Sequence, residues 1–263
     1  MNTEALANDK ATLETVTQVH RWTENLFSFK TTRSQGYRFT AGQYARLGLA
    51  VNGGMVWRAY SIVSAPDDDH LEYYGVTVPG GSFTTILKDL KPGDSIWTEK
   101  QSYGFMTADR FSDGEDLWML ATGTGLGPFI SILREAMVWE KFRNIVLVHC
   151  VRSENELAYQ EQLWALKNYP PSTAGARAEL QLIQSATREL ENPDERFNQR
   201  ITTLLENGKL EKKVGLRVAA ESSRIMMCGN PQMIDDTRRI LHQRGLRPVR
   251  RALPGQFVTE NYW

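Results

Sequence analysis

Cysteine is scarce: Cys150 and Cys228 are the only two in 263 residues. Both sit inside apolar strand-like runs, which excludes a disulfide framework and a C-x-x-C metal or redox pair and points to a reducing cytosol. Histidine is scarce too, and His20, His70, His149 and His242 show no metal-ligand spacing, so no metal site is expected and none of the four is assigned a catalytic role. Long apolar runs are missing: nothing approaches the roughly 18 consecutive apolar residues of a membrane helix. Met1 to Thr15 is polar, carries acids and lacks the apolar core of a secretion signal, so the expectation is a cytoplasmic protein that does not engage a membrane. Excess charge is absent as well. The 31 Lys and Arg are matched by 31 Asp and Glu, which argues against a surface built for nucleic acid or anionic lipid. No internal repeat or low-complexity tract stands out.

What is present divides in two. The length exceeds the usual single domain, and the pattern changes character near Phe111, so a boundary is expected between residues 1–109 and 110–263. From about Thr12 to Thr98 come short β-rich runs: Leu13 to Val19, Leu26 to Thr31, Gln43 to Leu49, Val56 to Ile62, Leu71 to Val78 and Ser95 to Thr98. Turn signals such as Asn52-Gly53-Gly54 and Lys91-Pro92-Gly93-Asp94 separate them, and closely spaced antiparallel strands predict a small β-barrel with one helix, Phe83 to Leu90. The second half alternates: strand Leu117 to Ala121, helix from Phe129, strand Ile145 to Cys150, helix from about Glu154, strand Leu180 to Gln184, helix near Arg200 to Glu206, strand Ile225 to Cys228, helix Gln232 to Arg244. Such alternation predicts an α/β domain with a parallel sheet and ligands at the carboxyl ends of its strands.

The segment Ala121-Thr122-Gly123-Thr124-Gly125-Leu126-Gly127-Pro128 joins an apolar strand to a helix whose apolar positions include Ile130, Leu133 and Met137. Its glycines permit a sharp turn and close approach of a ligand, and a helix start favours negative charge, so a pyrophosphate suits it. The spacing is G-x-G-x-G rather than the dinucleotide fingerprint, and a plain strand-to-helix turn stays open as a reading. In the barrel half, Arg58-Ala59-Tyr60-Ser61 puts a cation and, two residues on, an aromatic ring on one strand face with a hydroxyl beside it. Such a face can hold a phosphate and stack a planar heterocycle; a solvated Arg with a half-buried Tyr is the alternative. Gly80-Gly81-Ser82-Phe83-Thr84-Thr85 offers a second phosphate cradle, or an ordinary helix capped by Ser82 or Thr84. At the ends of the later strands stand Arg152 and Arg188, with Arg200 nearby. Planar guanidinium groups suit a phosphate monoester, and a 2′-phosphate separates NADP from NAD, which favours NADP(H) as the dinucleotide.

In this order, Arg58 to Ser61, Val76-Thr77-Val78-Pro79 with Ser82 to Thr84, the Ala121 to Pro128 turn, Cys228-Gly229-Asn230-Pro231-Gln232-Met233 and Glu260-Asn261-Tyr262-Trp263 resemble the motifs of the ferredoxin–NADP reductases. The branch they resemble is the bacterial ferredoxin/flavodoxin–NADP reductases whose chains end in Tyr-Trp. The resemblance implies a barrel that binds FAD through Arg58, Ala59, Tyr60, Ser61, Tyr74, Ser82, Phe83, Thr84 and Thr124, with Tyr262 and Trp263 returning to stack on the cofactor. It implies NADP binding by Val151, Arg152, Thr187, Arg188 and Arg200, and by Asn230, Pro231, Gln232 and Asp236. Ser61, Cys228 and Glu260 match the residues around the reacting rings, where the chemistry itself belongs to the cofactors. The acidic stretch Glu189 to Asn198, just before Arg200, departs from the family pattern.

The implied activity is electron transfer between NADPH and ferredoxin or flavodoxin, hydride passing to flavin N5 and electrons leaving singly. The reductase component of an oxygenase system and a flavin or nucleotide sensor without turnover are the alternatives. Between Arg238 and Arg251 the chain carries six arginines and no acid, a patch that suits an acidic electron carrier, although a solvated helix end is an equal reading. Beyond that charge there is no nucleic-acid motif, and the chain is expected to act as a monomer.

Overall fold

The computed structural model describes residues 10–171, 178–189, 196–251 and 253–261. The first half forms β1 (Ala11–Arg21), β2 (Leu26–Thr32), β3 (Tyr44–Val51), β4 (Gly54–Ser61), β5 (His70–Val76) and β6 (Ser95–Glu99). They make one antiparallel sheet in the order β4-β3-β6-β1-β2-β5. Alternation drives it: Leu47, Leu49 and Val51 of β3, Phe27 and Phe29 of β2 and Leu71 and Tyr73 of β5 point into a shared core. Asn52 and Gly53, at φ +50° and +80°, form the left-handed two-residue turn that matches strand twist in a hairpin. The sheet curls until Ile62 bridges Tyr73 and Val63 N–H donates to Glu72 O at 2.8 Å, which closes the end of β4 onto β5 as the barrel reading requires. Helix α1 (Ser82–Asp89) plugs the curl with Phe83 and Leu87. Its N-cap is Gly81 with no side-chain cap, so the expected Ser82 or Thr84 cap is not formed. Instead, Thr84 Oγ1 accepts from Val78 N–H at 3.1 Å and closes the preceding loop.

The second half builds β7 (Asp116–Thr122), β8 (Asn144–Ser153), β9 (Glu179–Glu189), β10 (Ser223–Gly229) and β11 (Phe257–Asn261), all parallel, in the order β11-β10-β7-β8-β9. Around them pack α2 (Gly127–Leu133), α3 (Ala136–Lys141), α4 (Gln160–Asn168), α5 (Ile201–Glu206), α6 (Lys209–Val214) and α7 (Pro231–Gln243). A parallel sheet covered on both faces needs apolar residues at every position. Strand β7 supplies them, Leu117, Met119 and Ala121 entering one core and Trp118 and Leu120 the other. The helix expected from Glu154 is one 3-10 turn, Glu154–Glu156, and α4 starts only at Gln160, after Tyr159 takes a left-handed φ of +59°. No helix among the described residues is long and apolar enough to cross a membrane.

The two halves share a core. Leu26, Ala41, Val63 and Tyr74 of the first pack with Leu126, Phe129, Ile130 and Leu133 of the second. Ser131 Oγ donates to Ser64 O at 2.7 Å and Arg134 Nη1 to Val63 O at 3.1 Å across the seam. An apolar interface of this kind holds domains in one arrangement, unlike the polar contacts of mobile pairs.

Candidate functional site

The strand order reverses at β7, with β8 and β9 on one side and β10 and β11 on the other, and ligands of open α/β sheets enter at such a crevice. There, Gly123–Leu126 form a single 3-10 turn. Its glycines have different duties. A Cβ on Gly125 would stand 2.3 Å from Cys228 O, so this glycine lets the turn lie on β10, whereas Gly123, at φ +54°, faces open space. His149 Nε2 lies 3.0 Å from Gly123 O. Burial lowers that imidazole to about 4, so it is neutral and serves as the donor to the carbonyl. A Cβ on Gly127 would lie 3.4 Å from Val63, 3.9 Å from Tyr74 and 4.0 Å from Ser61, so α2 begins against the barrel. Gly123 and the half-buried Thr124 are the part of the turn left facing the crevice.

Ser61, Cys228 and Glu260, distant in sequence, are brought together. Glu260 on β11 is the register partner of Cys228 on β10, and Ser61 Oγ at the end of β4 donates to Glu260 Oε1 at 3.3 Å. Burial pushes the Glu260 carboxyl up to about 7, and the Ser61 hydrogen bond pulls the other way. Gly104, at φ +108°, leaves room for this carboxylate: a Cβ there would sit 3.1 Å from Oε2. Cys228 is fully buried.

Strand β4 is an edge, and along it Arg58 and Ala59 are exposed while Tyr60 is half-buried. Among the described residues Arg58 Nη1 donates to the neighbouring Trp57 O alone, at 2.9 Å. The Tyr60 ring lies 6.1 Å from Phe83 at 30° and close over Gly75, whose missing Cβ would be 3.1 Å away; burial raises its phenol. Phe83, expected in the site, is 2% exposed, and its ring props Tyr60 from the barrel core. Tyr74 is also buried, and its hydroxyl and that of Thr77 have no hydrogen-bond partner among the described residues. Ser82 follows Gly80, which sits at φ +75° in open space. An open edge carrying a guanidinium, a ring face, two unsatisfied buried hydroxyls and a roomy glycine turn fits a planar polar heterocycle on a phosphate tether.

The dinucleotide candidates gather at the carboxyl ends of β8, β9 and β10. Val151 is paired in register with Ala186, and its carbonyl accepts from Thr187 Oγ1 at 3.2 Å. Arg152 and Arg188 are exposed beside them, and Arg200 is the exposed N-cap of α5. Arg152 is held by Glu156, with Nη2 to Oε1 at 2.9 Å. Missed by sequence reasoning was Arg196, which donates to Gln184 Oε1 at 3.0 Å and pairs with Glu154 at 3.2 Å, tying the approach to Arg200 onto β9. Only its place in an otherwise acidic stretch hinted at this. Asn230 caps α7, accepting from Gln232 and Met233 N–H, while its own N–H donates to Thr122 Oγ1 at 2.7 Å. Pro231 opens that helix, and Gln232 and Arg239 both donate to Asp236 Oδ1. Tyr262 and Trp263 lie outside the described residues, but the strand leading to them is β11.

A curled antiparallel barrel with an open edge, abutting a parallel sheet whose crevice faces it, defines an oxidoreductase class with one flavin domain and one pyridine-nucleotide domain. Residues 10–103 match the family described as oxidoreductase FAD-binding domain and residues 119–239 the oxidoreductase NAD-binding domain. The chain is 40% identical over 250 residues to the flavodoxin/ferredoxin–NADP reductase of Escherichia coli, covering 94% of this chain and 97% of that one. It is 37% identical over 254 residues to the ferredoxin–NADP reductase of Azotobacter vinelandii, covering 94% and 96%. Its fold superposes with a TM-score of 0.88 and 36% identity on a Neisseria gonorrhoeae ferredoxin NADP+ reductase solved with bound FAD and NADP, covering 96% and 98%. The chain belongs to the flavodoxin/ferredoxin–NADP reductase family.

Proposed function

We propose that this protein is an FAD-dependent reductase that moves electrons between NADPH and ferredoxin or flavodoxin. The observation that carries the reading is the seam itself: the carboxyl ends of β7, β10 and β11 are pressed against the end of β4, so that Ser61 and Glu260 from separate domains share a hydrogen bond. When bound there, the flavin and nicotinamide supply hydride chemistry on one side and single-electron chemistry on the other. The division falls between residues 109 and 110. Arg58, Ala59, Tyr60, Ser61, Tyr74 and Thr124 bind FAD, with the Ser82 to Thr84 segment contributing backbone and Tyr262 and Trp263 covering the ring. Arg152, Thr187, Arg188 and Arg200 hold the 2′-phosphate, backed by Val151, and Asn230, Pro231, Gln232 and Asp236 hold the remainder. Ser61, Cys228 and Glu260 position the reacting rings, and Glu260 stores a proton beside Ser61.

The expected carrier patch narrows. Arg238 pairs with Asp235, Arg239 with Asp236 and Arg244 with Glu211, so half of the basic stretch is neutralised locally. Arg247, Arg250 and Arg251 are exposed and make no ion pair among the described residues; they lead into β11, and this part steers an acidic carrier. The reading includes a monomer in the cytoplasm. Its test is the visible spectrum of the purified protein before and after NADPH: bound flavin that bleaches and then reduces ferredoxin or flavodoxin is expected. Absence of flavin, or reduction of an oxygenase iron–sulfur component with no reduction of either carrier, defeats it.

A further inference from the structure

Away from Ser61 and Glu260, the seam opens on a cleft of about 230 Å³ between β1, β2 and β5 of the barrel and α2 and α4 of the parallel-sheet domain. One wall is aromatic. Trp22 lies 4.7 Å from the Tyr159 ring and 4.1 Å from the His20 ring. Tyr159 is buried at φ +59°, a conformation that is unfavourable for a non-glycine residue and persists where the surroundings demand it. The demand is visible, since its hydroxyl donates to Glu72 Oε1 at 2.9 Å across the seam.

The charges of the cleft do not cancel. Glu72 is the carboxylate in the wall, and it is already engaged by Tyr159 and by Arg134 Nη1 at 3.3 Å. Arg134 in turn is occupied with Glu72, Val63 O and Asp68. Lys30 stands beside Glu72 in the β2–β5 register, attracts the exposed Asp69 carboxylate at longer range, and makes no close ion pair among the described residues. The cleft therefore presents an ammonium that no close ion pair holds among the described residues and a ring wall, with the amides of Gln18 and Gln162 at its rim. A cationic guest is repelled, an apolar one strips water from Lys30, and a phosphate calls for more than one cation while wasting the rings. A flat ring with a single carboxylate uses both features. A cavity of roughly 150 Å³ holds benzene, so this one admits such a ring with its acid group.

We propose that the cleft is a second binding site, separate from the cofactor seam, for a planar aromatic carboxylate whose ring lies on Trp22 and whose carboxylate meets Lys30. The guest touches both domains, so its binding stabilises their docked arrangement by mass action. The proposal does not rest on the cofactor assignment.

The probe is benzoate, titrated into the purified protein with its flavin retained and followed by calorimetry and by the indole N–H resonances of the seven tryptophans. Trp22, whose Nε1–H donates to Ser28 Oγ at 3.3 Å, is assigned through Trp22→Phe. Expected are a shift of that resonance on saturation, at least tenfold weaker binding in Lys30→Met, retention within threefold in Lys30→Arg, and at least fivefold weaker binding of cyclohexanecarboxylate. Gln162→Ala, on the exposed face of α4, serves as a second variant and weakens benzoate severalfold. Benzoate affinity unchanged in both Lys30→Met and Gln162→Ala, an unmoved Trp22 resonance, or inorganic phosphate moving the Trp22 resonance at lower concentration than benzoate each overturns the proposal.

Discussion

At Glu260 the folded chain holds a proton that the unfolded chain has released. Burial pushes the carboxyl from 4.5 to about 7, so between these values the native state binds more protons and stability falls as pH rises through the window. Below it both states are protonated, and above it both are charged. Glu260→Gln is neutral throughout and flattens this limb, which urea unfolding between pH 4 and 8 reads as a smaller loss of stability toward neutrality. The same carboxyl gives the NADPH-dependent rate a titration near 7. Ser61→Ala removes the hydrogen bond that favours the charged form and moves that titration upward; an unmoved profile assigns it elsewhere. A second residue-scale expectation concerns Arg152, which must leave Glu156 to grip a phosphate. An exposed i,i+4 pair contributes about 0.3–0.5 kcal/mol, so Glu156→Gln tightens NADPH roughly twofold and leaves NADH unchanged. Arg152→Ala with Arg188→Ala weakens NADPH far more than NADH, and equal losses contradict the phosphate assignment. Single residues of this kind were partly legible. Arg152 stands out at the end of an apolar run, whereas the meeting of Ser61 and Glu260, 199 residues apart, came from the family motifs and not from any local pattern.

At the scale of elements, strands of the barrel were legible because alternation and turn residues are local, and β2 and β5 begin and end within two residues of their apolar runs. Elements fixed from outside were not. The break before α4 depends on Tyr159 reaching Glu72 in the other domain, a constraint invisible in the helical pattern of Glu154 onward. Strand β11 has five residues and pairs with β10, about 30 residues earlier in the chain, so no local pattern announced this edge strand ahead of the aromatic tail. In the glycine turn after β7 the glycines have different local surroundings, and a pair of variants separates them. Gly125→Ala drives a methyl group to 2.3 Å from the Cys228 carbonyl, a backbone clash, and costs about 2 kcal/mol or more. Gly123→Ala meets no atom and pays only for its positive φ, about 1 kcal/mol. Urea midpoints of the two variants give this order, and the reverse order removes the packing role of Gly125.

For the whole molecule, the question is what keeps two folding units in a single arrangement. An apolar core runs through the seam, and at its edge Glu72, nearly inaccessible at 7% side-chain exposure, is shared by Arg134 and Tyr159. Burying that carboxylate is unfavourable, and its partners offset the loss rather than adding a net gain. Removing one partner is therefore the damaging change. Arg134→Met leaves the buried charge with Tyr159 as its hydrogen-bonded partner and no close ion pair among the described residues, and lowers stability by about 3 kcal/mol or more, while Arg134→Met with Glu72→Met removes charge and partner together and recovers most of it. If the interface is one cooperative unit with both sheets, calorimetry shows a single transition for the native protein and the double variant, and Arg134→Met shifts that transition down without splitting it. A split in the native protein means that the seam is weaker than its shared core implies, and the juxtaposition of Ser61 with Glu260 then depends on bound cofactor instead of on the chain.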